Sequence, residues 1–152
     1  MNIEYRTNTA SQRQIASHFA ACDALFLDQL NQRVEIEEYT VKIFKYAEKI
    51  EAWVGDELVG LIAMYENFEN SFGFITDVSV ITEYKGKGIA SKLLKSSIQH
   101  ATDSDLSKIK LEVEEDNMAA ISLYRKFGFN DYQIKGSSLF MRCYLRAEQT
   151  DV

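Results

Sequence analysis

Residues 83 to 94, EYKGKGIASKLL, place two glycines two apart, Gly86 and Gly88, among Lys85, Lys87 and Lys92, with Lys95 next in the chain, and no acid interrupts residues 85 to 95. Glycines let a ligand approach the backbone closely, because no Cβ stands in the way. A helix that starts just after them offers N–H groups without intrahelical acceptors, and its dipole adds positive potential. Successive N–H groups in such a turn make a nest for phosphate oxygens, and Lys85 and Lys87 would complement a diphosphate. The chemistry this stretch suggests is anion binding.

Two phosphate motifs fit it poorly. A P-loop requires GxxxxGK[ST], which is absent, and a GxGxxG dinucleotide fingerprint meets Ser91 in its third glycine position. That fingerprint also opens a βαβ unit, whereas here adjacent, hairpin-like strands precede the glycines.

The elements around the stretch follow from periodicity. NIEYR reads as a first strand, and Thr9 to about Leu30 as a helix capped by Thr9 or Ser11. A second helix is expected from about Val34 to Lys49. IEAWVGDELVGLIAMYE reads as two strands joined at Gly55-Asp56, and FGFITDVSVI as a third that leads into the glycines. A helix is expected from about Gly88 to Ala101. KIKLEVE alternates, with Ile109, Leu111 and Val113 on one face and Lys110, Glu112 and Glu114 on the other. Asn117 caps a short helix that Gly128 stops, and FNDYQI and SSLFMRCYL close the chain as strands. The order β-α-α-β-β-β-α-β-α-β-β predicts an α/β (α+β) domain with a mixed sheet and helices on both faces.

The 152 residues suit one domain, 1–152, and 46% apolar content suits a folded core. A net charge of -6 argues against nucleic acid as a partner and favours cationic ones. Cys22 and Cys143 have no metal-like spacing, so no metal is expected and the setting is read as reducing and cytoplasmic. No signal peptide and no membrane span are read from the apolar pattern.

NMAAISLYRKFGF, residues 117 to 129, together with VSVITEYKGKGIASKLL, resembles the GNAT superfamily of N-acetyltransferases. The first motif of that family is a strand ending in Val, then [Gln/Arg]-x-x-Gly-x-[Gly/Ala], then a helix. Val78 and Val80 end the strand, Gly86 and Gly88 match, and Glu83 takes the position usually Gln or Arg. The second resembles N-x-x-A-x-x-L-Y-x-x-x-G-F, matched by Asn117, Ala120, Leu123, Tyr124, Gly128 and Phe129. The resemblance implies a mostly antiparallel sheet of about seven strands, acetyl-CoA as donor, and direct transfer to an amine in a ternary complex.

By that resemblance the backbone N–H of Val80, or a neighbour beside Val78, polarises the thioester carbonyl. The backbone of Lys85, Gly86, Lys87, Gly88, Ile89 and Ala90 holds the pyrophosphate. Asn117, within the motif that includes Ala120, contacts the pantetheine arm, and Lys126 reaches the nucleotide end. Tyr124 is the candidate general acid, since a phenol with an ordinary pKa of about 10 stays protonated and can donate to the leaving sulfur. Glu112, twelve residues before Tyr124, is the candidate base, with Asp77 as its rival. His18 reads as a plain helix residue, and the cysteines as small buried residues. The implied acceptor is an amine-bearing small molecule such as a polyamine, amino sugar, aminoglycoside or amino acid. A peptide N-terminus or a lysine is the alternative, and a non-catalytic acyl-CoA-binding module a further one. Either a monomer or a homodimer is compatible with this reading.

Overall fold

The computed structural model describes residues 2–145. Seven strands, numbered in chain order, form a mixed and mostly antiparallel sheet in the order 1-2-3-4-5-7-6, in which the fourth and fifth are parallel. The chain divides into two compact units. One takes residues up to Met64 together with Asp77–Leu93, and the other Tyr65–Thr76 together with residues from Leu94 onward.

In the first unit, β1 (Glu4–Thr7) pairs antiparallel with β2 (Glu48–Val54), and β2 with β3 (Glu57–Asn67) across the Gly55-Asp56 turn, where Gly55 has φ +59°. Three helices lie between β1 and β2: α1 (Gln12–Ala20), α2 (Ala24–Arg33) and α3 (Ile36–Tyr46). The single helix expected from Thr9 to Leu30 is therefore two. The cause is Asp23, whose carboxylate accepts the Phe26 N–H at 2.9 Å and restarts the chain as a capped helix. Ser11, rather than Thr9, caps α1 in a reciprocal capping box with Gln14. Thr9 instead donates from its N–H and its hydroxyl to Glu51, a fully buried carboxylate on β2 that also accepts the Ala10 N–H and the Trp53 indole N–H. The Phe19 ring of α1 lies 6.2 Å from Phe26 of α2 and 5.8 Å from Tyr39 of α3, which ties the three helices together.

This unit also holds the end of β4 (Phe72–Val80) and the start of α4 (Ile89–Asp103). Gly60 on β3 lets them close: a Cβ there would lie 2.8 Å from Ile89 Cγ2 and 3.1 Å from Leu93 Cδ1.

The second unit packs β5 (Lys108–Glu114) antiparallel to β7 (Ser138–Tyr144), and β7 to β6 (Asn130–Lys135). Ile109, Leu111 and Val113 are buried, as the alternation predicts. α5 (Met118–Lys126) begins at the Asn117 cap and stops at Gly128, whose φ of +96° suits a residue without a side chain.

Candidate active site

Within the first unit, the glycine stretch leaves β4 through a short 3-10 turn over Thr82–Tyr84. Gly86 and Gly88 both have left-handed φ, +78° and +79°, and nothing lies within 4 Å of where a Cβ would stand. Glycine is needed here for the path of the backbone, and the turn presents a bare surface. Lys92 N–H donates to Gly88 O at 3.1 Å and closes the first turn of α4. The N–H groups from Gly88 to Ser91 precede that bond and have no acceptor within the helix. The first turn of α4 carries no acid, and the helix is 15 residues long. The residues present therefore fit a diphosphate, and backbone rather than side chain supplies most of the donors.

The flanking lysines differ from one another. Lys87 is exposed, and so is Lys85, but the Lys85 ammonium lies 2.6 Å from Asp23 Oδ2. That ion pair and the Phe26 N–H hold the Asp23 carboxyl below its usual range. Ile89 is buried and Ala90 half-buried at the helix start.

The end of β4 has a definite polarity. Ile81 N–H donates to Val59 O on β3 at 2.9 Å. Backbone groups of neighbouring strand residues point to opposite edges, so the Val80 N–H is directed away from β3. Side chains alternate likewise: Val78 and Val80 are half-buried, while Asp77 and Ser79 are buried.

Asp77 and Ser79 lie under α1. Ser79 Oγ lies 2.8 Å from both Asp77 Oδ2 and His18 Nε2, within hydrogen-bond distance of each. His18 Nδ1 is 2.8 Å from the Leu58 carbonyl oxygen on β3. Burial pushes the Asp77 carboxyl up to about 7, against the downward pull of the Ser79 hydrogen bond and the Arg33 charge. Burial pushes the His18 imidazole down to about 4, opposed by its bond to Leu58. Cys22, with Sγ 3.9 Å from His18 Nε2, is pushed up to about 12, by burial first and then by Asp77 and Asp23. Its thiol stays protonated, and burial raises Cys143 as well, so neither is a ready nucleophile.

The second unit carries the remaining candidates. Glu112 is exposed on β5, in register with Phe140 on β7. Tyr124 is buried on α5, its ring 5.9 Å from that of Phe129. Asn117 Oδ1 accepts the Ala120 N–H at 3.3 Å, so its side chain already caps α5. Ala120 is half-buried in the first turn, and Lys126 is exposed at the far end of the helix. His100 is half-buried, 3.6 Å from Glu66.

The model of the Acetyltransferase (GNAT) family matches residues 16–129, from α1 to the stop of α5. The chain belongs to the GNAT family of acetyltransferases. Among relatives of this acetyltransferase, N-alpha-acetyltransferase 30 of Schizosaccharomyces pombe is 28% identical over 116 residues, which cover 69% of this chain and 76% of that one. The spermine/spermidine N(1)-acetyltransferase of Bacillus subtilis is 36% identical over 78 residues, 50% of this chain and 51% of that enzyme. The fold matches the ribosomal-protein-S18-alanine N-acetyltransferase of Escherichia coli with a TM-score of 0.81 at 14% identity over 99% of each chain. It matches the PaiA N-acetyltransferase of Thermoplasma acidophilum, solved in complex with coenzyme A, with a TM-score of 0.74 at 18% identity over 95% of this chain and 99% of that one.

Three features escape a reading of sequence alone. Gly60 sits in a strand pattern with no sign of the helix above it, Asp23 reads as one more acid of a helix, and His18 meets Ser79 across 61 positions. The one local signal among them was a cap-forming residue at position 23.

Proposed function

We propose that the chain, as one acetyltransferase domain over residues 1–152, moves an acetyl group from acetyl-CoA to a primary amine of a small cationic molecule, by direct transfer and without a metal, in the cytoplasm. The observation that carries the donor half is the left-handed Gly86 and Gly88 turn at the start of α4. Its backbone N–H groups hold the pyrophosphate, with Lys87 as the available cation. The Val80 N–H, directed away from β3, donates to the thioester oxygen as negative charge develops there. Tyr124 gives a proton to the departing sulfur. Glu112 takes the proton of the amine, directly or through a water, which is the task of an exposed carboxylate; Asp77, buried under α1, is not placed for it. Asn117 orders the first turn of α5 on the pantetheine side, and Lys126 meets the nucleotide end.

The acid balance of the chain, net -6, supports a cationic acceptor, as does similarity to a spermine/spermidine acetyltransferase. The longer similarity to N-alpha-acetyltransferase 30, together with the Glu112 and Tyr124 pair, favours a peptide α-amine as the second reading. Thiol release from acetyl-CoA, measured with spermidine, glucosamine, an aminoglycoside and short peptides, separates the two. Release with spermidine or an amino sugar at more than ten times the peptide rate supports the first reading. Release with peptides alone replaces it with the second.

A further inference from the structure

The chain of groups from Leu58 to Asp77 has a definite hydrogen count. A carbonyl oxygen only accepts, so the 2.8 Å contact with Leu58 O fixes a proton on His18 Nδ1. In a neutral ring Nε2 is then an acceptor. Ser79, 2.8 Å from both His18 Nε2 and Asp77 Oδ2, has one hydroxyl hydrogen. With Asp77 ionised and His18 neutral, that hydrogen satisfies one neighbour and leaves the other short, among groups that are all at most 5% exposed, because the Cys22 thiol, 3.9 Å from Nε2, donates instead to the His18 carbonyl oxygen at 3.4 Å. One added proton completes the chain. On Asp77 it gives Asp77 O–H to Ser79 Oγ, Ser79 O–H to His18 Nε2, and His18 Nδ1–H to Leu58 O. Moving that proton to Ser79 as the hydroxyl proton passes to Nε2 yields a carboxylate and an imidazolium, with no change in total charge.

We propose that His18, Ser79 and Asp77 share one buried proton, resting on Asp77, and that this relay fastens α1 to β3 and β4. They are positioning residues for acetyl transfer, a role that rests on assigning the thioester to the end of β4 at Val80. The charged groups around the relay nearly offset one another. Arg33 of α2 acts on Asp77, while Asp23 and Lys85 act on Cys22 beside His18 and are paired with each other. Arg13, Asp56 and Glu57 line the open side near His18, in a cavity of about 500 Å³. Among the described residues no cation pairs directly with Asp77, on which Arg33 acts only through its charge, and neutrality of the relay comes from the proton itself.

The linkage is distinctive. Asp77 at about 7 in the fold, against an ordinary 3.8, stabilises the fold fully below about pH 4 and loses that contribution as pH rises to 7. His18 at about 4, against 6.5, does the reverse, and its contribution to stability rises with pH from about 4 to 6.5. Folding moves one proton from histidine to aspartate, and the two slopes cancel between about pH 4 and 6.5.

The direct test is nitrogen-15 NMR of the histidine rings in the full chain, which has only His18 and His100. The expected result at pH 6 is His18 protonated on Nδ1 alone; a ring protonated on Nε2, or on both nitrogens, overturns the proposal. Thermal melts supply a second test. Relative to the unaltered chain, Asp77→Asn gains stability as pH rises from 4 to 6.5, and His18→Gln loses it. Ser79→Ala lowers the melting temperature, and Ser79→Thr restores it. Parallel slopes in Asp77→Asn and His18→Gln overturn the shared proton, and should either fail to fold the NMR result decides. For the positioning role, acetyl-CoA affinity falls roughly fivefold between pH 6.5 and 8.5 in the unaltered chain and not in Asp77→Asn. An equal fall in both overturns that role. If acetyl-CoA binds at no pH, the assignment of the donor site fails while the NMR result still judges the relay.

Discussion

The Lys85 ammonium lies 2.6 Å from Asp23 Oδ2, so a cation of the glycine turn is committed to the cap of α2. Both side chains are partly exposed, 52% and 34%, and such a pair is worth about 0–1 kcal/mol. Lys85→Ala should therefore change acetyl-CoA affinity less than about threefold. Gly88→Ala, forced into a φ of +79°, should weaken binding about tenfold, from a left-handed strain of roughly 1–2 kcal/mol. Calorimetry with acetyl-CoA ranks the two, and the reverse order would return the holding role to the lysine.

Gly60 sets where α4 begins. A methyl group 2.8 Å from Ile89 Cγ2, in a fully buried setting, has to displace the first turn of the helix. Gly60→Ala should cost about 1–3 kcal/mol in chemical denaturation and weaken acetyl-CoA binding as well. Loss of stability with unchanged binding would separate the strand contact from the site.

Glu51 is a fully buried carboxylate that receives hydrogens from Thr9, Ala10 and Trp53. Glu51→Ala leaves those donors without their acceptor, at a cost of about 3 kcal/mol or more. Denaturant melts at neutral pH measure it, and a cost under about 1 kcal/mol would show that water replaces the carboxylate readily.

The assignment of the base separates two carboxylates. Glu112→Gln should lower kcat about 100-fold, and Asp77→Asn less than about tenfold at pH 7, because Asp77 is buried against Ser79 under α1 while Glu112 is exposed. Steady-state thiol release gives both numbers, and the opposite ranking would make Asp77 the base.

Much of the second unit was legible in sequence. KIKLEVE alternates in the structure as on paper, and Asn117 and Gly128 bound α5 where capping and left-handed φ require it, because these signals are local. The first helix reads as one in sequence because its apolar period continues through Cys22 and Phe26, while the cap at Asp23 competes with that period and wins. Glu83 departs from the glycine pattern only when the pattern is begun at position 83. Read from Lys85, the pattern [Gln/Arg]-x-x-Gly-x-[Gly/Ala] falls on Lys85, Gly88 and Ala90, with lysine for Gln or Arg, and its two small residues flank the start of α4 at Ile89. Glu83 then lies outside the pattern, exposed in the 3-10 turn. The relay could not be read, because a histidine on an apolar helix face and a serine on a strand carry no mark of each other.

Direct, amine-dependent acetyl transfer with Tyr124 as acid makes a sharp kinetic demand. It is tested most directly by thiol release from acetyl-CoA across an amine panel, with the unaltered chain beside Tyr124→Phe. Release is expected only when an amine is present, slowed roughly 100-fold in Tyr124→Phe with acetyl-CoA affinity nearly unchanged. Acetyl-CoA binding with no amine-dependent release, or equal turnover by Tyr124→Phe, would contradict it.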